Sequence, residues 1–120
     1  MSVFRRHQRL LNAADFSNVF SDPPFRASHQ HCLILAKPNN LHYDRLGLVI
    51  AKKNIRLAVH RNRIKRVIRE SFRDLSRQKQ GIDAIVLARR GLGEMESTKI
   101  RSTVDKQWLR VQKKAQSYQL

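Results

Sequence analysis

The chain has 120 residues, 41% of them hydrophobic and 28% charged, which suits one small globular domain spanning 1–120. Against 9 Asp and Glu stand 25 Lys and Arg, a formal net charge of +16 that favours an anionic partner, nucleic acid first. No apolar run approaches the roughly 18 residues of a spanning helix, so neither a membrane span nor a membrane partner is expected.

The basic start, with Arg5, Arg6 and Arg9, runs into Asn12, Asp15 and Ser17 where a signal peptide would need an apolar core. Leu10, Leu11, Ala14, Phe16, Val19 and Phe20 predict a short amphipathic helix, begun or interrupted at Asn12 or Asp15 and stopped by Asp22-Pro23-Pro24. Phe16 and Phe20, four apart, share one face of it. On spacing alone such a pair is first of all core; the alternative is a platform on which unpaired bases stack.

Phe25 to Ala36 reads as a strand, followed by the turn signal Lys37-Pro38-Asn39-Asn40. The single cysteine, Cys32, sits in the apolar stretch Cys32-Leu33-Ile34-Leu35-Ala36 and is expected in the core. One lone thiol fits a reducing, cytoplasmic location. His29 and His31 would share a strand face, but no third ligand stands near them in sequence, so no metal site is predicted. Arg45 to Lys52 reads as a second strand with a bend at Gly47.

Ala58 to Gln80 predicts the longest helix, with Gly81 as its stop. Between Arg61 and Arg73 it carries six cations without losing its apolar rhythm. At about 100° per residue, Ile64, Val67, Ile68, Ser71, Phe72 and Leu75 gather on one arc. Lys65, Arg66, Arg69, Arg73 and Arg77 gather on another, with Asn62 among them. From Ala51 to Gln80 there are eleven Lys and Arg against two acids, Glu70 and Asp74. A merely solvated face interleaves both signs at i,i+4 spacing; this one predicts a phosphate-binding row.

Ile82 to Ala88 predicts a buried strand and Arg89 to Gly93 a loop. The closing helix is expected to begin between Glu94 and Thr98, with an apolar stripe of Ile100, Val104, Trp108, Leu109 and Val111. The whole describes an α+β fold, a single-domain α/β sandwich, expected in the order α-β-β-β-α-β-α with one strand before the basic helix beyond the two placed above. The βαβ unit built around the basic helix would ordinarily be right-handed, as about 98% of such crossovers are. No paired acids, nucleophile motif or phosphate-cradling glycine loop appears, so catalytic residues are expected to be none.

Arg61-Asn62-Arg63-Ile64-Lys65-Arg66, with Val67-Ile68-Arg69-Glu70 after it, resembles the signature of the bacterial ribonuclease P protein component. Asp15-Phe16-Ser17-Asn18-Val19-Phe20, Gly47 to Asn54 and Ile82 to Arg89 are similar to the family's first helix and two of its strands, in order and spacing. The resemblance implies the protein subunit of an endonuclease, a hydrolase that cuts the 5′ leader from precursor tRNA. In it the RNA subunit is the catalyst and holds the Mg²⁺. It implies two partners, the ribonuclease P RNA and precursor tRNA, and no protein partner. RNA binding is carried over to Arg61, Asn62, Arg63, Lys65, Arg66, Arg69, Lys52 and Lys53. A leader-binding cleft is carried over to Phe16, Phe20 and Ile34, the last standing where some members have an aromatic. The resemblance also implies a left-handed βαβ crossover, against the general rule. Charge and size alone would equally permit a structural RNA-binding protein such as a ribosomal component. A helix-turn-helix DNA binder is disfavoured, since the pattern from Ala58 to Gln80 contains no turn.

Overall fold

The computed structural model describes residue 9, residues 12–75 and residues 81–118. In chain order these form α1 (Ala13–Ser21), β1 (Phe25–His29), β2 (Cys32–Pro38), β3 (Arg45–Val49), α2 (Ala58–Leu75), β4 (Ile82–Ala88), a 3₁₀ turn (Leu92–Glu94) and α3 (Ser97–Tyr118). The order α-β-β-β-α-β-α stands, with one correction. Phe25 to Ala36 is two strands, folded back at Gln30-His31 so that His29 pairs with Cys32. The reversal carries no Gly, Pro or Asn to mark it, so the β-rich run read as continuous.

The four strands lie in the order β1-β2-β4-β3. The β1–β2 and β2–β4 pairs are antiparallel and β3–β4 is parallel. Helices α2 and α3 cover one face. Ile64, Val67, Ile68 and Phe72 of α2 and Ile100, Val104, Trp108 and Val111 of α3 meet the even-numbered residues of β2 and β4 there. Phe72 and Trp108 stack edge-on, their centroids 5.3 Å apart. Of the predicted α3 stripe, Leu109 points outward instead, because α3's inner arc is completed by Gln107 and Ala115. The buried Gln107 amide donates to Ala27 C=O (2.8 Å) and Cys32 C=O (3.0 Å), tying α3 to the β1–β2 hairpin. The Gln112 amide donates to Leu75 C=O (2.6 Å), at the end of α2.

The hand of the β3–α2–β4 crossover follows from hydrogen-bond parity. Arg89 N–H donates to His31 C=O and Asn39 N–H to Gly81 C=O, both 2.9 Å. Odd-numbered residues along β2 therefore bond toward β4, and even-numbered ones toward β1. An L-residue viewed from its side-chain side, chain running upward, turns its N–H and C=O to the right. Ile34 is even-numbered and faces α2 and α3, so from their side β1 lies right of β2, and β4 lies left. Turned until β3 and β4 run upward, β4 lies left of β3. With α2 in front of the sheet, that step is left-handed, the rare hand.

Local chemistry sets the element ends. Asn12 Oδ1 caps α1 by accepting the Asp15 N–H at 2.9 Å. Gly81 opens β4 at φ +68°, and a Cβ there would stand 2.4 Å from Leu41 C=O. β3 ends at Val49, three residues short of the predicted Lys52, because the chain turns at 52–54 to enter α2.

Candidate nucleic-acid interface

The predicted cations of α2 divide into two kinds. Asn62 and Arg66 are exposed, and Lys65 and Arg69 are half-buried beside them. No ion pair among the described residues engages Lys65, Arg66 or Arg69. Asp74 reaches across to Arg101 of α3 (2.9 Å) as well as to Arg73 on its own helix (3.8 Å). Arg9, bridged to Leu46 at the β3 edge, lies near enough to act on Arg69. Partial burial and the Arg9 charge together hold the Arg69 guanidinium below its ordinary value. Lys52 and Lys53 are exposed in the turn before the helix.

Arg61 and Arg63, in contrast, donate inward. Arg61 reaches the carbonyls of Ile55 (3.0 Å) and Arg56 (2.8 Å), closing the loop ahead of α2. Arg63 reaches Gly93 C=O (2.6 Å) and Met95 C=O (2.7 Å), holding the 3₁₀ turn and the approach to α3. Sequence reasoning assigned both to RNA; the fold also employs them as props for backbone carbonyls. A guanidinium has five donors, so neither is exhausted by these bonds.

The other candidate surface is the opposite face of the sheet. There α1 crosses β2 and β4, and Val19 is fully buried against Leu33, Leu35 and Ile85, with Phe16, Val49 and Leu87 at the margin. Phe16 is half-buried in this layer, while Phe20 is 43% exposed. Asp15 anchors the helix toward Arg45 (3.7 Å), whose guanidinium grips Asp83 through two bonds of 2.8 and 2.6 Å. That bond to Asp83, before all else, raises the Arg45 guanidinium above its ordinary value.

Ile34 requires a correction. It has no exposed surface and faces Ile68, Phe72 and Trp108, on the far side of the sheet from Phe16. The cleft-facing residues of β2 are its odd-numbered neighbours Leu33 and Leu35. Because Cys32 to Ala36 is apolar at every position, its pattern gave no parity from which to choose.

Cys32 lies in the core as expected, and burial pushes its thiol up to about 12 against the lowering effect of Arg89. His31 sits in the hairpin turn and its Nδ1 bonds to Arg90 C=O (2.8 Å), while His29 Nδ1 accepts the His31 N–H (3.1 Å). Among the described residues no three His, Cys, Asp or Glu side chains gather where an ion would sit.

An α+β fold carrying a helix with three cations free of carboxylate partners among the described residues on one side and an aromatic-edged sheet face on the other defines a small RNA-binding protein. The chain belongs to the ribonuclease P family, whose model matches residues 4–112. It is 49% identical over 108 residues to the ribonuclease P protein component of Pseudomonas aeruginosa, covering 90% of this chain and 80% of that one. To the corresponding protein of Saccharophagus degradans it is 50% identical over 113 residues, covering 94% and 84%. Among solved structures, the RNase P protein of Staphylococcus aureus superposes with a TM-score of 0.75 at 27% identity, covering 85% of this chain and 93% of that one. The RNase P protein of Thermotoga maritima gives 0.66 at 27% identity, covering 82% and 96%. The chain is thus a protein component of ribonuclease P, a tRNA-processing ribonucleoprotein endoribonuclease.

Proposed function

We propose that α2 docks this protein onto the ribonuclease P RNA, while the face of α1 and the open sheet holds the single-stranded 5′ leader of precursor tRNA. One observation carries this reading: Arg66, Lys65 and Arg69 project from a rigid helix without a carboxylate partner among the described residues. Arg66 and Arg69 offer planar forks for phosphate oxygens, Lys65 a point charge, and Asn62 a hydrogen bond to a base edge, 2′-hydroxyl or phosphate. Arg61 and Arg63 act in two ways, bracing the adjoining loops and adding charge; Lys52 and Lys53 extend the row. On the sheet face, the exposed Phe20 ring stacks on an unpaired base, with Phe16 beneath as its support.

Cleavage in this reading belongs to the RNA subunit. Divalent ions, Mg²⁺ foremost, would be held by the RNA and would supply the hydrolytic chemistry there; the protein's cations lower the phosphate charge that those ions would otherwise have to offset. The assembly works in the cytoplasm, and residues 1–120 act as a single domain. The test is reconstitution at low Mg²⁺. The purified protein alone is expected to leave precursor tRNA intact and to restore cleavage when added to the RNA subunit. No gain on addition would overturn the proposal, and co-sedimentation with ribosomal subunits instead would favour the ribosomal alternative.

A further inference from the structure

We propose that a groove between the last turns of α3 and the start of β1 binds a second RNA backbone segment, apart from the one carried by α2. The inference rests on the RNA-binding role set out above and adds a contact surface to it. The groove encloses about 600 Å³, with Pro24 and Phe25 forming one wall. Arg110, Lys113, Lys114 and Ser117 form the other, and their i, i+3, i+4, i+7 spacing places all four on one ridge of the helix. Over seven residues that ridge extends roughly 10 Å along the helix. All four side chains are exposed.

A helix C-terminus attracts cations through its dipole, which accounts for cations in the last turn but fades beyond it. Arg110 stands two turns before Tyr118 and falls outside that range. The sequence offers these cations no neutralising neighbour on their own segment: residues 106–120 contain Lys106, Arg110, Lys113 and Lys114 and no Asp or Glu. Lys114 Nζ is held over the hairpin by Arg26 C=O at 2.5 Å, so its charge is fixed at the groove. The polar hydroxyl and three cations around an apolar wall match a nucleic-acid strand, whose phosphates meet the ridge while sugars lie against Pro24.

Placement makes this segment a separate one. β1 is the outermost strand at one edge of the sheet and β3 at the other. α3 lies over β1 and β2, whereas the charged face of α2 adjoins the β3 edge through Arg69 and Arg9. The protein then acts as a brace between two stretches of RNA.

Directed cleavage tests this in the assembled complex of protein, ribonuclease P RNA and precursor tRNA. Cys32 is buried and unreactive, so Ser117→Cys and Val59→Cys each introduce one addressable thiol, at the groove and at the start of α2. With an iron chelate attached, each position is expected to cut RNA, at different nucleotides. Cuts from position 59 without cuts from 117 would overturn the groove; silence from 59 would instead overturn the α2 reading. As a second measurement, the triple variant Arg110→Ala, Lys113→Ala, Lys114→Ala should reduce the slope of log affinity against log salt by about 2, with an unchanged thermal melt. An unchanged slope, or protection of the position-117 thiol by polyglutamate but not by RNA, would also refute the proposal.

Discussion

Asp44 is a carboxylic acid with 1% of its surface exposed. Its Oδ1 accepts the Ile82 N–H (3.0 Å), while Oδ2 is buried without a partner among the described residues. Burial pushes its pKa up to about 6, opposed by hydrogen bonds from Ile82 and Gly81 and reinforced by the charge of Asp83. A raised acid binds its proton more tightly folded than unfolded, so this group adds stability as pH falls from about 6 to about 4, and costs about 3 kcal/mol at neutral pH. Asn in its place keeps the accepted bond and removes the charge. Urea midpoints measured from pH 4 to 7 should therefore show Asp44→Asn gaining on the natural protein as pH rises; parallel curves would contradict this. At the same scale, Phe16 and Phe20 have the same spacing but different surroundings. Phe20→Ala should spare stability and assembly while weakening precursor over mature tRNA binding by roughly 1–3 kcal/mol, the worth of one stacked base. Equal loss for both tRNAs would remove the platform. Phe16→Ala should cost stability, since that ring is packed over Leu33, Leu35 and Ile85.

The elements show how much the amino-acid pattern discloses. In α2 the apolar arc predicted from rhythm is the arc that is buried, because a 3.6-residue period admits one such face. In β2 the same logic fails: both faces are apolar, so the burial of Ile34 depends on which parity the register selects. The two-way use of Arg61 and Arg63 was equally hidden, since their acceptors are backbone carbonyls from Ile55 to Met95, which every residue possesses. A pair of substitutions separates the two kinds of cation. Arg66→Ala should weaken assembly with the RNA subunit and lower the salt dependence by about one unit of slope, leaving the melt unchanged. Arg63→Ala should cost about 1–3 kcal/mol in urea unfolding of the free protein, because Gly93 and Met95 lose their donor. If Arg63→Ala unfolds like the natural protein, the prop is not structural.

At the scale of the whole molecule, charge and topology act together. A net +16 is tolerable in a fold where several of the nine acids are spent on internal partners: Asp83 on Arg45, Asp105 on Arg101 and Ser71, Asp74 on Arg101 and Arg73. These carboxylates pair with Arg45, Arg73 and Arg101 and leave Lys65, Arg66 and Arg69 without an ion pair among the described residues. Composition declared the sign of the partner, but only the packed structure tells which cations remain for it.

The strand order β1-β2-β4-β3 has a consequence for the order in which the protein assembles. β4 lies between β2 and β3, and among the described residues β3 has no other pairing beyond the single bridge from Arg9 to Leu46. β3 must therefore wait for Ile82–Ala88 before it joins the sheet, and such late, non-local pairing is slow. During synthesis the basic helix emerges while part of its platform, β4 and α3, is still missing, so it takes its final seat only when the chain is nearly complete. A fragment ending at residue 80 should leave the β3 amides unprotected in hydrogen exchange, whereas one extended through α3 protects them. Protection in the shorter fragment would show that β3 can dock alone. The charged face of α2 is thus set in place only once the last strand has entered the sheet.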